Sequence, residues 1–266
     1  MSICFWRGLR ICNSGLIIVD GSIKDKYLMP DKRIHRGPHP QDAKLFAPAA
    51  IADLRSAVAD FSLLLTKDYA EKSGLKLVGD KFSLTERQRL AVMRNACSDQ
   101  QLITRKQHEI KITELGNRPV AIDGYNVLIT IEAAMSGGVI FKGRDGCLRD
   151  LASIHGTYRK VTETIPAVEL IGGFLKQIGV TSCLWLLDSP VSNSGRLKTL
   201  IGELARENNW NWEIELLPSP DFELIKTDSI VASSDSVILD RCKSWVNLAR
   251  AIIEEKLPQT HLIDLL

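Results

Sequence analysis

Three short apolar segments of this chain each end in an aspartate, and this pattern constrains the fold more than any other feature. Residues 120–128 read V-A-I-D-G-Y-N-V-L, so that an apolar run stops at Asp123. The runs that begin at residues 183 and 229 end in the same way, at Asp188 and Asp235. Short apolar runs bounded by turn residues are typical of buried strands in a parallel sheet. Because parallel strands end at one edge, the pattern predicts three carboxylates at the carboxyl edge of a sheet.

The segments around these strands predict an α/β domain over residues 118–266. The predicted strands are 119–123, 182–187, 212–217 and 229–234, and the predicted helices are 127–135, 148–152, 164–179, 196–208 and 245–255. A turn is expected at 218–221. Strands that alternate with helices favour a three-layer α/β domain with a mostly parallel central sheet.

Residues 30–117 predict a small helical module that precedes this domain. The predicted elements are helices over 48–66, 67–72 and 86–96, followed by a connector over 101–117. Thr85 and Gln88 form a capping-box pattern at the start of the third helix, and Gly74 is expected to stop the second. The mild excess of basic residues in this module favours a solvated helix face over a phosphate-binding one.

Residues 1–29 form an extension that we interpret as an over-extended reading or a loose segment, with Met29 as the expected start. The extension lacks an uninterrupted apolar core and a small-residue cleavage site, which argues against a signal peptide. The chain has no apolar run long enough to span a membrane. Its six cysteines are scattered without a C-x-x-C pair. These features predict a cytoplasmic protein with reduced thiols and no membrane partner.

The predicted acidic edge suits a hard divalent cation, because Mg²⁺ and Mn²⁺ take oxygen ligands. Several carboxylates within a few Å of one another cannot all stay ionised without a cation. We therefore predict a catalytic set of Asp123, Asp188 and Asp235 as ligands of Mg²⁺ or Mn²⁺, with Asn126 orienting the substrate. Glu132 is a candidate fourth ligand. Each aspartate also has a structural alternative, as a helix cap or a turn residue.

Basic and small polar residues flank the acids and form a candidate substrate-binding set. Proteins hold polyanions mainly through phosphates, and the S-N-S-G segment at 192–195 precedes a predicted helix, where phosphates bind well. The alternatives are a plain turn for this segment and local ion pairs for Asp145 and Asp150. His155, in a polar loop, is expected to be structural. The candidate residues are Arg144, Arg149, Arg159, Lys160, Ser192, Asn193, Ser194 and Arg196.

The motif I-D-G-Y-N-V at 122–127 resembles the opening motif of PIN-like and NYN-type nuclease domains. The S-S-D at 233–235 and the L-D at 187–188 are similar to later acidic motifs of these domains, so that the resemblance covers roughly 118–245. It implies a PIN-like fold and a role for the three aspartates in Mg²⁺- or Mn²⁺-dependent hydrolysis of RNA. The helix-borne acid of that superfamily has two candidates here, Glu132 and Asp150.

Most of the chain after Met29 also resembles a largely archaeal family known as domain of unknown function four-three-four. The resembling segments are 36–40, 77–80, 87–89, 96–99 and 192–196. That family supplies no activity, so the functional prediction rests on the acidic site. We expect a metal-dependent nuclease acting on RNA, with a homodimer left open. The alternatives are a non-catalytic RNA-binding or scaffold protein with a degenerate site, and a phosphoesterase for a small substrate.

Overall fold

The computed structural model describes residues 35–152 and 158–266, which fold as one compact unit. The predicted extension 1–29 and His155 lie outside the described residues. Helices occupy the first part of the unit, and strands alternate with helices in the rest. The prediction of a mixed α/β chain with a helical N-terminal region is therefore confirmed.

The described chain begins with helices that pack together before the first strand. They are α1 (Asp42–Leu45), α2 (Pro48–Thr66), α3 (Glu71–Lys81), α4 (Glu86–Asn95) and α5 (Asp99–His108). The helices predicted at α2 and α4 are confirmed. The capping box is also present, because Thr85 accepts a hydrogen bond from the Gln88 backbone and the Gln88 side chain accepts one from the Thr85 backbone.

Two predictions in this helical region are wrong. The helix α3 runs through Gly74, because this glycine lies against α2 and a Cβ there would approach the Phe61 ring to 3.3 Å. Gly74 thus permits close helix packing and does not end the helix. The predicted connector over 101–117 contains most of α5, which begins with a second capping box formed by Ser98 and Gln101.

The main sheet contains parallel strands only. The strands of the described chain are β1 (Pro119–Asp123), β2 (Ile140–Lys142), β3 (Leu148–Arg149), β4 (Ser182–Asp188), β5 (Trp212–Leu217), β6 (Ile230–Ala232), β7 (Trp245–Val246) and β8 (Leu262–Asp264). Five of them form the main sheet in the order β5-β4-β1-β6-β7, with every pair parallel. All residues of β1 after Pro119 are buried, so both faces of the sheet are covered.

Helices connect these strands and cover the sheet. They are α6 (Gly124–Met135), α7 (Thr164–Gln177), α8 (Ser194–Glu207), α9 (Pro220–Lys226), α10 (Ser236–Leu239) and α11 (Leu248–Lys256). The helix predicted at 148–152 is wrong, because its first residues form β3 against β2. The helix predicted from residue 245 begins only at Leu248, since Trp245–Val246 extends the sheet beside β6.

A smaller sheet, in the order β3-β2-β8, packs against the N-terminal helices. Phe141 of β2 meets Phe46 edge-on, with 4.8 Å between ring centroids. Phe141 and Ile263 also share a buried apolar cluster with Leu54 and Phe61 of α2. The segments predicted as separate, 30–117 and 118–266, thus contribute to a common core.

The strand order makes β1 the topological switch point of the main sheet. The strands β4 and β5 lie on one side of β1, and β6 and β7 lie on the other. In open parallel sheets, ligands bind outside the carboxyl ends of the strands at such a point. The fold therefore places Asp123, the last residue of β1, where a ligand is expected.

Two adjacent glycines on α7 should respond in opposite ways to alanine. A Cβ at Gly172 would lie 2.2 Å from the Trp210 ring, whereas a Cβ at Gly173 would meet nothing within 4 Å. We expect Gly172→Ala to lower the free energy of unfolding by about 1–3 kcal/mol through overpacking. We expect Gly173→Ala to raise it by roughly 0.5–1 kcal/mol. Urea denaturation of both variants measures the difference, and equal effects would contradict the packing of Trp210 on α7.

No helix within the described ranges is long and apolar enough to cross a membrane. The four cysteines in the same ranges, Cys97, Cys147, Cys183 and Cys242, are buried free thiols. Burial raises the pKa of the Cys183 thiol to about 12. A buried, protonated thiol behaves as a small apolar core residue, so these cysteines are part of the packing.

Candidate functional site

Asp123 ends β1 at the turn into α6. Glycine follows it because β4 runs close by: a Cβ at Gly124 would lie 2.5 Å from the Leu187 side chain and 2.9 Å from the Leu186 carbonyl oxygen. Asp123 occupies the N-cap position of α6, but its side chain makes no capping hydrogen bond. Its carboxylate instead accepts a 2.7 Å hydrogen bond from the Ser233 hydroxyl. Helix capping therefore does not account for this carboxylate.

Other acids surround the buried Asp123 carboxylate. Burial, together with the negative charges of Asp235, Asp221 and Asp188, raises the pKa of Asp123 to about 7, although the Ser233 hydrogen bond lowers it. Burial and the charge of Asp221 likewise raise the pKa of Asp188. Burial and the charge of Asp235 raise the pKa of Asp221. Negative charges of neighbouring aspartates thus oppose the ionisation of Asp123, Asp188 and Asp221.

Asp221 is an acid that the sequence reasoning missed. It lies in the first turn of α9, which follows β5, so it reaches the same edge of the sheet as Asp123. The two prolines of the segment favoured a turn at 218–221, but Pro220 stands in the first turn of α9, where proline is well tolerated. The sequence does carry a signal for Asp221, because this residue lies shortly after a predicted strand, as Asp235 does.

The loop between β6 and α10 contains Asp235 and forms hydrogen bonds with Asn126 of α6. Asp235 Oδ1 accepts hydrogen bonds from the backbone N–H groups of Val237 and Ile238, at 2.8 and 3.3 Å, so it caps α10. Asn126 Oδ1 accepts hydrogen bonds from the backbone N–H and the hydroxyl of Ser234, at 2.8 and 3.0 Å. These bonds leave Asp235 Oδ2 and Asn126 Nδ2 without a hydrogen bond to any described residue.

Glu132 is placed in an internal ion pair and not among these acids. Its side chain is fully buried, and Oε2 accepts a 2.7 Å hydrogen bond from Arg36 Nε. Its other oxygen accepts hydrogen bonds from the hydroxyls of Tyr158 and Thr164. Burial raises the pKa of Glu132, while Arg36 and the two hydroxyls lower it. Because the described partners of Glu132 are all internal, its carboxylate does not lie among the acids at the strand ends.

Two arginines predicted to bind substrate pair with carboxylates of the protein itself. Arg149 is buried, and its Nη atoms donate to the Asp145 carboxylate at 2.8 and 2.7 Å. Its Nε donates to the Ser234 carbonyl at 2.9 Å, beside Asp235. Arg144 pairs with Asp99 at the start of α5. Arg149 thus supports the loop that carries Asp235, and Asp145 forms the local ion pair with Arg149.

The predicted phosphate-binding segment before α8 contacts the protein itself. Asn193 Nδ2 donates to the Tyr158 carbonyl at 3.0 Å, and the Ser192 carbonyl accepts from the Tyr158 backbone N–H at 3.1 Å. Ser194 is buried and is the first residue of α8. Asn193 stands in the N-cap position and makes no side-chain cap. In the described residues this segment therefore forms hydrogen bonds with the backbone of Tyr158.

Three basic residues of the predicted set remain, Arg159, Lys160 and Arg196. The Arg159 carbonyl accepts a 3.2 Å hydrogen bond from Arg36. Burial lowers the pKa of Lys160. Arg196 is exposed in the first turn of α8. None of the three lines the cleft that opens beside Asp235.

This cleft has a volume of about 250 Å³ and lies between α6 and the loop that follows β6. Its lining includes Arg94, Tyr125, Asn126, Ile129, Thr130 and Asp150. Asp150 accepts hydrogen bonds from the Thr130 hydroxyl at 2.8 Å and from the Ala152 backbone N–H at 2.7 Å. Arg94 donates to the Asp150 carbonyl at 2.7 Å. Asp150, the second candidate for a helix-borne acid, therefore lies in the wall of the cleft.

The donor chemistry of the acidic edge suits a hard divalent cation, but the carboxylates do not form a complete metal site by themselves. Across residues 35–152 and 158–266, no group of three His, Cys, Asp or Glu side chains is arranged to hold a metal ion. Mg²⁺ commonly uses one or two carboxylates and keeps water and substrate phosphate as its other ligands. The acids therefore fit a site that the substrate completes.

Comparison with known proteins identifies the family of the chain. The family model described as domain of unknown function DUF5616 matches residues 112–251, which is more than half of the chain. The chain belongs to this family. A second model, described as protein of unknown function DUF434, matches residues 53–108 of the N-terminal helices. The resemblance to that family, stated from the sequence for most of the chain, is confirmed for residues 53–108, whereas its segment 192–196 lies within the DUF5616 match.

One relative of this chain comes from an archaeon. The uncharacterized protein MJ0935 of Methanocaldococcus jannaschii is 30% identical over 203 residues, which cover 76% of this chain and 97% of the relative. No solved structure matches the chain significantly. The PIN-like identity of the α/β part therefore stays a prediction.

Proposed function

We propose that this family member is a metal-dependent nuclease with a PIN-like domain that hydrolyses phosphodiester bonds in RNA. The position of the acids carries the proposal. Asp123 and Asp188 are the last residues of their strands, and Asp221 and Asp235 come shortly after theirs, so all four lie at the carboxyl edge of one parallel sheet. Open α/β sheets bind ligands there. Four like charges gathered at such a place are costly in a purely structural role, and a bound cation offsets that cost.

The aspartates of this edge would supply the one or two carboxylates that hold Mg²⁺ or Mn²⁺, with water and substrate phosphate as the other ligands. When bound, such a cation lowers the pKa of a water molecule and neutralises charge that develops on phosphate oxygens. Ser233 orients the Asp123 carboxylate by its 2.7 Å hydrogen bond. Ser234 fixes the Asn126 amide by its oxygen, so that Nδ2 stays a donor for the substrate. The loop after β6 thus organises both groups.

The alternative is a non-catalytic RNA-binding or scaffold protein with a degenerate site. One observation favours it, because the described residues contain no three-ligand group for a metal. This alternative predicts RNA binding whose affinity falls steeply with salt, since contacts to phosphates dominate it. It also predicts no metal-dependent cleavage.

Cleavage of end-labelled single-stranded RNA, with Mn²⁺ or with EDTA, tests the proposal. We expect cleavage with Mn²⁺ only. Asp221→Asn should reduce the rate at least about tenfold, because it removes one acid of the edge. Asp228→Asn is the matched control, since Asp228 is exposed and pairs with Lys243 on the surface. RNA that is bound but not cut would favour the alternative, and cleavage that persists in EDTA would contradict the proposal.

A further inference from the structure

The cleft beside Asp235 has a lining that metal-dependent hydrolysis does not itself require. We propose that this cleft binds one unpaired nucleobase of the substrate, next to the phosphate at the acidic edge. The inference takes its substrate class from the proposed function. Its test measures base binding without metal, so that it can fail or succeed independently of cleavage.

The position and the size of the cleft both suit a base. The cleft opens between α6, which follows β1, and the loop that follows β6, and these two strands are neighbours at the switch point. Its volume of about 250 Å³ lies just below the range of roughly 300–1,000 Å³ that is typical for drug-sized ligands. One ring system therefore fits it. Stacking and pairing hold the bases inside a duplex, so the base that enters must be unpaired.

Tyr125 and Ile129 supply the apolar part of the lining. Tyr125 is 5% exposed, and its ring lies against the Tyr158 ring with 5.4 Å between centroids, so it is fixed in place. Its buried hydroxyl has no hydrogen-bond partner among the described residues. Unpaired bases of RNA contact aromatic side chains in protein clefts. The lining thus includes part of a fixed aromatic ring at the point where the chain turns away from Asp123.

Fixed polar groups complete the lining and indicate which base fits. Asn126 offers Nδ2, because Ser234 occupies its oxygen. Arg94 uses Nη1 for backbone carbonyls, which leaves Nη2 without a hydrogen bond to the described part of the chain. The Asp150 carboxylate, held by Thr130, is an acceptor. Two donors and one acceptor match uracil, which has two carbonyl oxygens beside a ring N–H, better than adenine.

Fluorescence anisotropy of labelled oligouridylate and oligoadenylate, in EDTA and with the full chain, tests the inference. We expect tighter binding of oligouridylate by the wild type. Ala152→Trp places a large side chain in the lining from a partly exposed position and should weaken oligouridylate binding at least about tenfold. Ala49→Trp is the matched control, because Ala49 is exposed on α2 away from the cleft, and it should change nothing.

A second variant keeps the test decisive if circular dichroism shows that Ala152→Trp does not fold. Arg94→Met should remove most of the preference for oligouridylate, because it removes the guanidinium donors from the cleft. Competition with uridine 5′-monophosphate separates two sources of the base. If the mononucleotide displaces labelled oligouridylate at a matched concentration of bases, the cleft binds free nucleotides. If it displaces oligouridylate only weakly, the cleft binds RNA. Unchanged affinity and preference in the folded variants, or no binding by the wild type, would overturn the inference whatever the cleavage assay shows.

Discussion

Replacing Asp123 by asparagine should abolish metal-dependent cleavage and at the same time stabilise the metal-free protein. Loss of a hydrogen-bonding partner of a metal ligand typically costs about 10- to 100-fold in affinity or activity, and loss of a ligand should cost more. The stabilisation follows from burial and neighbouring charges, which raise the pKa of Asp123 to about 7. Removing a charge that the folded state disfavours should add on the order of 2 kcal/mol to the free energy of unfolding at neutral pH.

The same substitution should change how stability depends on pH. The folded-state pKa of Asp123 lies above its ordinary value of 3.8, so the folded protein keeps a proton that the unfolded chain releases. The free energy of unfolding of the wild type should therefore fall as the pH rises from about 4 to about 7. Asp123→Asn should show a flatter profile in urea denaturation at several pH values. A variant that is both inactive and clearly destabilised would point to a structural role for Asp123.

Asp145→Asn should destabilise the protein by about 3–5 kcal/mol, because it leaves the buried Arg149 guanidinium without its carboxylate partner and leaves Arg105 with Asp240 alone. Asp145 Oδ2 lies 2.6 Å from Arg105 Nη1 and 2.7 Å from Arg149 Nη2, and all three side chains are buried. Burial by itself would raise the pKa of the Asp145 carboxyl. The guanidinium groups of Arg149 and Arg105 outweigh burial and hold this pKa well below its ordinary value. The stabilisation is thus present above pH of about 4 and is lost as the pH falls further.

Thermal and urea denaturation of Asp145→Asn measure this effect, and Glu254→Gln provides the control. Glu254 pairs with Arg250 at 2.8 Å on the surface of α11, and its removal should change stability little. Similar effects of the two substitutions would contradict the structural role of the Asp145 network. Since Arg149 also donates to the Ser234 carbonyl, folded Asp145→Asn should lose activity through the loop that carries Asp235.

The main features of the α/β part could be predicted because its strands and helices carry strong local patterns. The strand Pro119–Asp123 and the strand Trp212–Leu217 lie at their predicted positions, and the capping box fixed the start of α4. The failures have physical causes. Gly74 looked like a helix end, but its role is to let α3 approach Phe61 on α2, and that contact is not visible from sequence.

Most strand-end acids of the candidate site could be predicted from the sequence. The side chains that pair with the other candidate residues could not. Position after a strand identified Asp123, Asp188 and Asp235. Asp221 was missed because the prolines beside it favoured a turn. Sequence could not show that Glu132 pairs with Arg36, since 96 residues separate them and only the tertiary fold brings them together.

Calorimetric titration of Mn²⁺ into the wild type and into Asp123→Asn tests the central proposal most directly. We expect the wild type to bind Mn²⁺ and the variant to lose this binding, since Asp123 lies at the centre of the four acids. The titration is repeated with single-stranded RNA present, because substrate phosphate is expected to complete the site. Equal binding by both proteins, or no binding by the wild type with or without RNA, would contradict a metal centre at Asp123.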